Sequence, residues 1–250
     1  MIAYISCDMH RLLHRFSRWL MLLLGLGGLA VFTAIFAQSG LYGQWSSFAY
    51  ISAVKALIKP LSLFVGVAEI LFIFGDDLKA KTIQAAIGTG LRRSELICGK
   101  YAECILLSFL DVVIYGLFVL AMGLLFQAGL LGSQIQELTV YLFTEWLKVV
   151  GYTAFTMIMI FYTRSVGLSL VLYIALYGKV LSSIAGYLLS LGPLENMHLA
   201  RYTMTAAIDT LRTCLTGGMP VLAPLLLVLA YCAVGCLITI LLFDKRELEL

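Results

Sequence analysis

Long apolar runs recur along the whole chain, and they limit its fold more than any other feature. Six runs of roughly 20 residues are separated by short polar segments, and an α-helix of about that length crosses the hydrocarbon core of a bilayer. Of the 250 residues, 62% are hydrophobic and 12% are charged, whereas a soluble domain has about 25% charged residues. The sequence therefore predicts an all-α membrane protein with a single transmembrane domain.

The six predicted transmembrane helices cover residues 19–37, 55–74, 101–126, 138–162, 166–191 and 221–243. The first run follows a basic segment, but it is longer than the roughly 7–15 apolar residues of a secretory signal core, so we interpret it as an uncleaved helix. Residues 1–18 place Arg11, Arg15 and Arg18 on one helical face, which predicts an interfacial helix on the cytoplasmic leaflet. A solvated basic segment is the alternative interpretation.

The polar segments between these runs predict the remaining elements. The longest, residues 76–100, predicts two short cytoplasmic helices on either side of a break at 88–90. A tight turn at 163–165 joins the fourth and fifth spans. Residues 192–219 predict one or two short outer helices before the sixth span.

The basic residues predict the orientation in the membrane. About eleven of the 17 lie in the N-terminal piece, the long insertion, the 163–165 turn and the C-terminal tail. Because basic loops stay inside, we expect both termini to be cytoplasmic. The net charge of +3 is small and no long basic segment is present, so we expect membrane lipid as a partner and no nucleic acid.

The insertion contains four elements in order: Asp76-Asp77, Lys81-Thr82, the run 90–93 and Gly99-Lys100. This segment resembles the hallmark of ABC type-2 export permeases. In that family an acidic residue ends the second span, a Lys-Thr or Gly-Thr pair opens a short helix, and Gly-x-x-Arg-Arg and Gly-Lys lead into the third span. The resemblance extends over the whole chain: it includes the six spans, the interfacial N-terminal helix, the outer helical segment before the last span and the motif Phe-x-Lys-Arg at residues 243–246. Lys81 departs from the commoner Gly.

The resemblance implies a permease subunit of an ATP-driven exporter in a bacterial plasma membrane. It implies two permease copies, with a homodimer expected, and two copies of an ATP-binding cassette subunit. The chain has no GxxxxGK[ST] loop, so we expect ATP and Mg to bind to the partner and this chain not to be an enzyme by itself. The expected cargo is an amphipathic or hydrophobic peptide such as a toxin or bacteriocin. A small hydrophobic drug or a cation, an ion-driven secondary transporter, and a scaffold without transport are the alternatives.

The insertion also predicts the contact with the ATPase. Ile83, Ala86 and Ile87 recur at i, i+3 and i+4, which predicts an apolar stripe for a groove on the ATPase, with basic residues around it. Packing on the inner headgroups is the alternative. The expected coupling residues are Lys79, Lys81, Thr82, Ile83, Ala86, Ile87, Arg92 and Arg93.

Ionisable side chains inside the predicted spans are candidates for a substrate path, because they are costly in hydrocarbon. These candidates are Glu69, Asp111, Glu145, Lys148 and Lys179. Glu145 and Lys148 lie one helical turn apart and can pair. Structural pairing inside the bundle is the alternative role for each of them.

Metal binding is not expected from this sequence. His10 and His14 have the i, i+4 spacing of metal ligands but no third partner nearby, and Cys232 and Cys236 lie in an apolar span.

Overall fold

The structure is a computed structural model that describes residues 2–40, 47–79, 82–88, 90–125, 130–178, 180–189 and 202–244. Within these ranges the regular elements are helices and no strand is present, which confirms the all-helical prediction. The helices are α1 (Ile2–Leu13), α2 (Phe16–Gly40), α3 (Ser47–Lys79), α4 (Thr82–Gly88), α5 (Arg93–Leu125), α6 (Gly132–Thr163), α7 (Val166–Tyr177), α8 (Val180–Leu189), α9 (Met204–Gly217) and α10 (Leu222–Asp244).

Five of these helices, α2, α3, α5, α6 and α10, are long and apolar enough to cross a membrane. The shortest of them, α10, has 23 residues and rises about 34 Å at 1.5 Å per residue. This length exceeds the roughly 30 Å of a hydrocarbon core. The structure therefore supports a multi-span membrane protein.

The predicted fifth span does not form one continuous helix. α7 has only 12 residues and ends at Tyr177; the N–H of the next residue, Gly178, donates to the Ile174 carbonyl at 2.8 Å. α8 follows with 10 residues, while residues 179, 190 and 191 lie outside the described ranges. A Cβ at position 178 would lie 2.9 Å from that carbonyl oxygen, and glycine disfavours helix propagation. The prediction of an unbroken helix over 166–191 is therefore wrong at Gly178.

In the described part of the long insertion there is one short helix, whereas two were expected. α3 continues past Asp76 and Asp77 to Lys79, α4 is the short helix, and α5 already begins at Arg93. The residues expected to form a second short helix are thus the first turns of α5. Helix can extend through these polar residues because several of them are paired with opposite charges, as described below.

The N-terminal segment forms a separate helix, but it is shorter than expected. α1 ends at Leu13, and α2 begins at Phe16 after a break at His14 and Arg15. Arg18 consequently lies in the first turn of α2. The prediction that three arginines share the face of one helix is therefore wrong.

The long helix α6 lies at the centre of the bundle and packs against α3, α5, α7, α9 and α10. By contrast, α2 and α10 leave most of their apolar side chains exposed. α9 is one of the short helices expected before the last span, and residues 192–201 of that segment lie outside the described ranges.

Side-chain contacts define two ends of the bundle. At one end, which we call the α1 end, Arg15 pairs with Asp76, and Arg93 donates to the Phe243 carbonyl at 2.8 Å. At the other, the α9 end, the ring of Tyr141 lies near both Lys55 and Arg212. α1, the end of α3, the start of α5 and the end of α10 therefore lie together.

Candidate functional site

Three groups of charged side chains lie inside the bundle, and the first joins α1, α3 and α5 at the α1 end. We call it the Lys100 cluster; it contains Asp8, Arg11, Asp77, Lys100 and Glu103. The Lys100 ammonium is fully buried, and it contacts Asp8, Asp77 at 2.6 Å and Glu103 at 3.2 Å. Arg11 contacts Asp8 at 2.6 Å and Asp77 at 3.0 Å. Two cations thus hold three carboxylates from three helices.

An aromatic ring covers one side of the Lys100 cluster. The Tyr4 ring centroid lies 5.5 Å from the Lys100 nitrogen, a distance typical of a cation–π contact. Burial raises the pKa of the Tyr4 phenol, so this side chain stays neutral at ordinary pH. The contact adds another link between α1 and α5.

From the sequence, Asp77 and Lys100 were singled out only as parts of the motif that resembles ABC type-2 permeases. Asp8 and Glu103 were not predicted as functional residues. A signal was available for both, since Asp8 is three residues before Arg11 and Glu103 is three residues after Lys100, the spacing of helical ion pairs. Nothing local in the sequence indicates that α1 reaches α5.

An open cavity of about 540 Å³ lies beside this cluster at the α1 end. It is lined by α3, by the start of α7, and by the turns between α1 and α2 and between α6 and α7. Arg15 pairs there with Asp76 at 2.5 Å, and its guanidinium lies 5.5 Å from the Phe72 ring centroid. Arg164 also lines the cavity, and its backbone has a φ of 53°. Residues other than glycine rarely adopt a positive φ. The cavity lining therefore combines charged side chains with the aromatic ring of Phe72.

The second group, which we call the Glu69 pocket, lies deeper between α2, α3 and α5. Arg18 donates from its Nη2 to Oδ1 of Asp111 at 2.7 Å. Glu69 lines the same enclosed space and is 3% exposed. Neither carboxylate oxygen of Glu69 has a hydrogen-bond partner among the described residues. The structure thus brings together two of the predicted path residues, Glu69 and Asp111, and adds Arg18.

The third group, the Glu145 cluster, joins α6, α7 and α9. Tyr177 donates its hydroxyl to Oε2 of Glu145 at 2.6 Å, and Arg212 donates from Nη2 to Oε1 at 2.9 Å. Lys148 lies 3.6 Å from the same carboxylate and 4.3 Å from the Tyr177 ring centroid. Arg212 also donates to the Thr144 hydroxyl at 2.9 Å. The predicted pairing of Glu145 with Lys148 is confirmed, and Arg212 and Tyr177 are additions that the sequence did not indicate.

Tyr173 lies between the second and third groups. This buried residue is in electrostatic contact with both Glu69 and Glu145, and its ring stacks with that of Tyr177 at 6.0 Å. Its hydroxyl has no hydrogen-bond partner within the described part of the chain. The polar groups therefore extend through the bundle from Arg18 to Arg212. Lys179, the fifth predicted path residue, lies outside the described residues.

The predicted coupling residues face different surroundings. Ile83 is 7% exposed and belongs to the main apolar core, against which Ala86 and Ile87 also pack. Ile83 is therefore covered by its own bundle in this structure, and its contact with an ATPase stays a prediction.

The basic coupling residues differ in their exposure. Arg92 is exposed, whereas the guanidinium of Arg93 donates to two carbonyls at the end of α10. Lys81 lies outside the described residues, as do the side chains of Lys79 and Thr82. Arg92 is thus the described coupling candidate best placed to meet a partner.

Comparison with known proteins gives a family but no activity. A family profile described as "Protein of unknown function (DUF2705)" matches residues 12–248, almost the whole chain. A comparison with curated proteins finds no match.

Proposed function

Because the chain belongs to the DUF2705 family, whose description assigns no activity, its function has to come from its own residues, and we propose that it is the membrane-spanning subunit of an ATP-driven exporter. The sequence resemblance to ABC type-2 permeases supports this proposal. The Lys100 cluster is the structural observation in its favour, because it holds together α3 and α5, the two long helices on either side of the segment that would meet a motor.

A force applied to the turn between α3 and α5 has a direct route into the bundle. α4 packs its Ile83 side on the core, while Gly88 and Arg92 are exposed on the outside. The two long helices that flank this segment are held together by Asp77 and Lys100. A motor that binds the exposed side would therefore move α3 and α5 as one unit.

The proposed topology has six spans and both termini in the cytoplasm of a bacterial cell. α7 and α8 together would form the remaining span, broken at Gly178. The exposed apolar faces of α2 and α10 would be covered by lipid and by a second copy of the chain. Two copies and two ATPase subunits, with ATP and Mg bound to the latter, would complete the transporter.

Co-purification with an ATP-binding cassette subunit tests the exporter proposal. We expect the tagged chain, isolated from its native membrane, to retain that subunit and to stimulate its ATP hydrolysis. Arg92→Glu should weaken both the retention and the stimulation. Lys59→Glu is the matched control, because Lys59 is also exposed but lies in the outer half of α3. An unchanged complex and unchanged hydrolysis in Arg92→Glu would show that Arg92 is not a coupling residue.

The proposed cargo is an amphipathic peptide such as a toxin or bacteriocin. The chain has 13 tyrosines and 14 phenylalanines, which could provide aromatic surface for such a guest. Stimulation of ATP hydrolysis by an amphipathic peptide, compared with a small hydrophobic cation of similar concentration, separates this cargo from a drug or a cation.

An ion-driven transporter is the second candidate, and the observation that favours it is the buried Glu69, whose carboxylate accepts no hydrogen bond from the described part of the chain. Such a protein would work without an ATPase. Transport into sealed vesicles that follows an imposed ion gradient, and that continues when ATP is withheld, would support this candidate over the exporter.

A further inference from the structure

Glu69 is the buried ionisable group with the least compensation in the described structure. It lies in the second half of α3 and is 3% exposed, and neither of its carboxylate oxygens accepts a hydrogen bond from the described residues. An ionised carboxylate in a low-dielectric interior needs a counter-charge and hydrogen-bond donors. Glu69 therefore needs a ligand that removes its charge.

The groups around Glu69 do not supply that compensation. Arg18 approaches from α2, and Asp111 from α5. Tyr115 and Cys104 also face it from α5, and Tyr173 from α7. Arg18 is already bound to Asp111 at 2.7 Å. Among the described residues that line the pocket, two carboxylates thus share one cation.

The size of the pocket limits what can bind there. Its volume is about 10 Å³, which is close to the minimum for one water molecule. A divalent metal ion needs about six oxygen ligands. Glu69 and Asp111 do not provide that many, and Asp111 is already paired with Arg18. A proton is small enough for this pocket, and it neutralises the negative charge of Glu69.

The pocket also has a defined neighbour through which a proton can arrive. Phe72 lines the Glu69 pocket on one side and the open 540 Å³ cavity at the α1 end on the other. Glu69, Phe72 and Asp76 follow each other along one face of α3 at i, i+3 and i+7. The Arg15 guanidinium lies 5.5 Å from the Phe72 ring centroid. Phe72 is thus a wall residue that the polar cavity and the pocket of the buried carboxyl group share.

We infer that Glu69 is a proton-binding site that exchanges its proton with the α1 end of the bundle past Phe72. The neutral acid is the form that fits the closed packing of α2, α3 and α5. Displacement of the Phe72 ring lets water reach Glu69, and the proton then leaves through the cavity that Arg15 and Asp76 line. This inference goes beyond the proposed export function and does not depend on any ATPase partner.

Infrared difference spectroscopy of the purified full-length protein in lipid nanodiscs tests the site. We expect a carbonyl band of a protonated carboxylic acid at neutral pH that shifts in D₂O. Glu69→Gln should remove this band, Glu69→Asp should move it to a new frequency, and Glu137→Gln, which changes an exposed carboxylate, should leave it in place. Thermal unfolding of each variant reports whether it folds. A folded Glu69→Gln protein with an unchanged carboxylic-acid spectrum would overturn the proposal.

The route is tested separately by the rate at which the Glu69 band shifts after transfer to D₂O. Phe72→Ala should increase this rate on the order of tenfold, because it removes the barrier to local water access. Phe32→Ala, on α2, is the matched aromatic control and should leave the rate unchanged. An equal rate in Phe72→Ala and the wild type would overturn the route past Phe72. Because no ATP or cargo is present, failure here leaves the exporter proposal standing.

Discussion

The Lys100 nitrogen lies 2.6 Å from Oδ2 of Asp77, and this contact joins the start of α5 to the end of α3. Both side chains are almost fully buried. Asp8 and Arg11 of α1 bind the same pair, so the contact also holds the N-terminal helix against the bundle. The junction of α1, α3 and α5 therefore depends on a buried contact between Asp77 and Lys100.

Replacing Lys100 by Met should strongly destabilise the protein. The change leaves Asp8, Asp77 and Glu103 with Arg11 as their only cation in the cluster, and removal of one partner from a buried ion pair costs about 3–5 kcal/mol. Thermal unfolding in detergent measures the loss. Lys59→Met, at an exposed position of α3, is the control and should have little effect. Lys100→Met combined with Asp77→Asn should recover part of the stability, and no recovery would contradict charge imbalance as the cause.

Gly66→Ala should destabilise the packing of α7 on α3. A Cβ at this position would lie 1.9 Å from the Tyr173 hydroxyl oxygen, so the buried ring has to move, at a cost of about 1–3 kcal/mol. Gly27→Ala is the matched control, because nothing lies within 4 Å of a Cβ there. Thermal unfolding of the two variants gives the comparison. Equal stability would mean that Tyr173 does not cross α3 at Gly66.

Glu145→Gln should loosen α9 from the bundle. Arg212 of α9 and Lys148 would both lose the carboxylate that they share. Because Cys214 of α9 is 8% exposed, its labelling by a thiol reagent should become faster, on the order of tenfold if local opening increases. The measurement uses a Cys7→Ser background to remove the exposed cysteine of α1.

The control for α9 is Asp209→Asn, since Asp209 is exposed and lies 4.0 Å from Arg212. It should leave the labelling of Cys214 unchanged. Similar acceleration in both variants would indicate that Glu145 has no special role in holding α9.

The exposed Cys7 on α1 offers a test of orientation. If the α1 end faces the cytoplasm, as the distribution of basic residues predicts, a membrane-impermeant maleimide should label Cys7 in inside-out vesicles but not in intact cells. Cys7→Ser identifies the labelled site. Labelling of Cys7 in intact cells would reverse the proposed topology.

The helices were predictable from the sequence because hydrophobicity is a local property. Runs of apolar residues give α2, α3, α5, α6 and α10 directly, and only their ends are shifted. The break at Gly178 was not predictable on the same basis, because Gly116 and Gly123 lie inside the continuous helix α5. Whether a glycine interrupts a membrane helix depends on the neighbouring helices.

Among the charged groups, too, local contacts were predictable from the sequence and long-range contacts were not. The pairing of Glu145 with Lys148 follows from a spacing of three residues on one helix, and it was predicted. The contacts of Lys100 with Asp8 and of Arg18 with Asp111 join residues that are 92 and 93 positions apart. No periodicity encodes such contacts, since they arise only after the helices pack. The burial of Ile83 was not predictable for a related reason, because an apolar stripe fits a partner's groove and the chain's own core equally well.

The attachment of α1 through Asp8 and Arg11 also sets an order of events during synthesis. The ribosome makes α1 before its partners Asp77 and Lys100, and chains emerge from the N-terminal end first. α1 therefore has to wait, with Asp8 and Arg11 still hydrated, until α3 and the first turns of α5 have been inserted. Docking of α1 therefore follows the insertion of α3 and of the start of α5, because both of its buried partners have to be in place first.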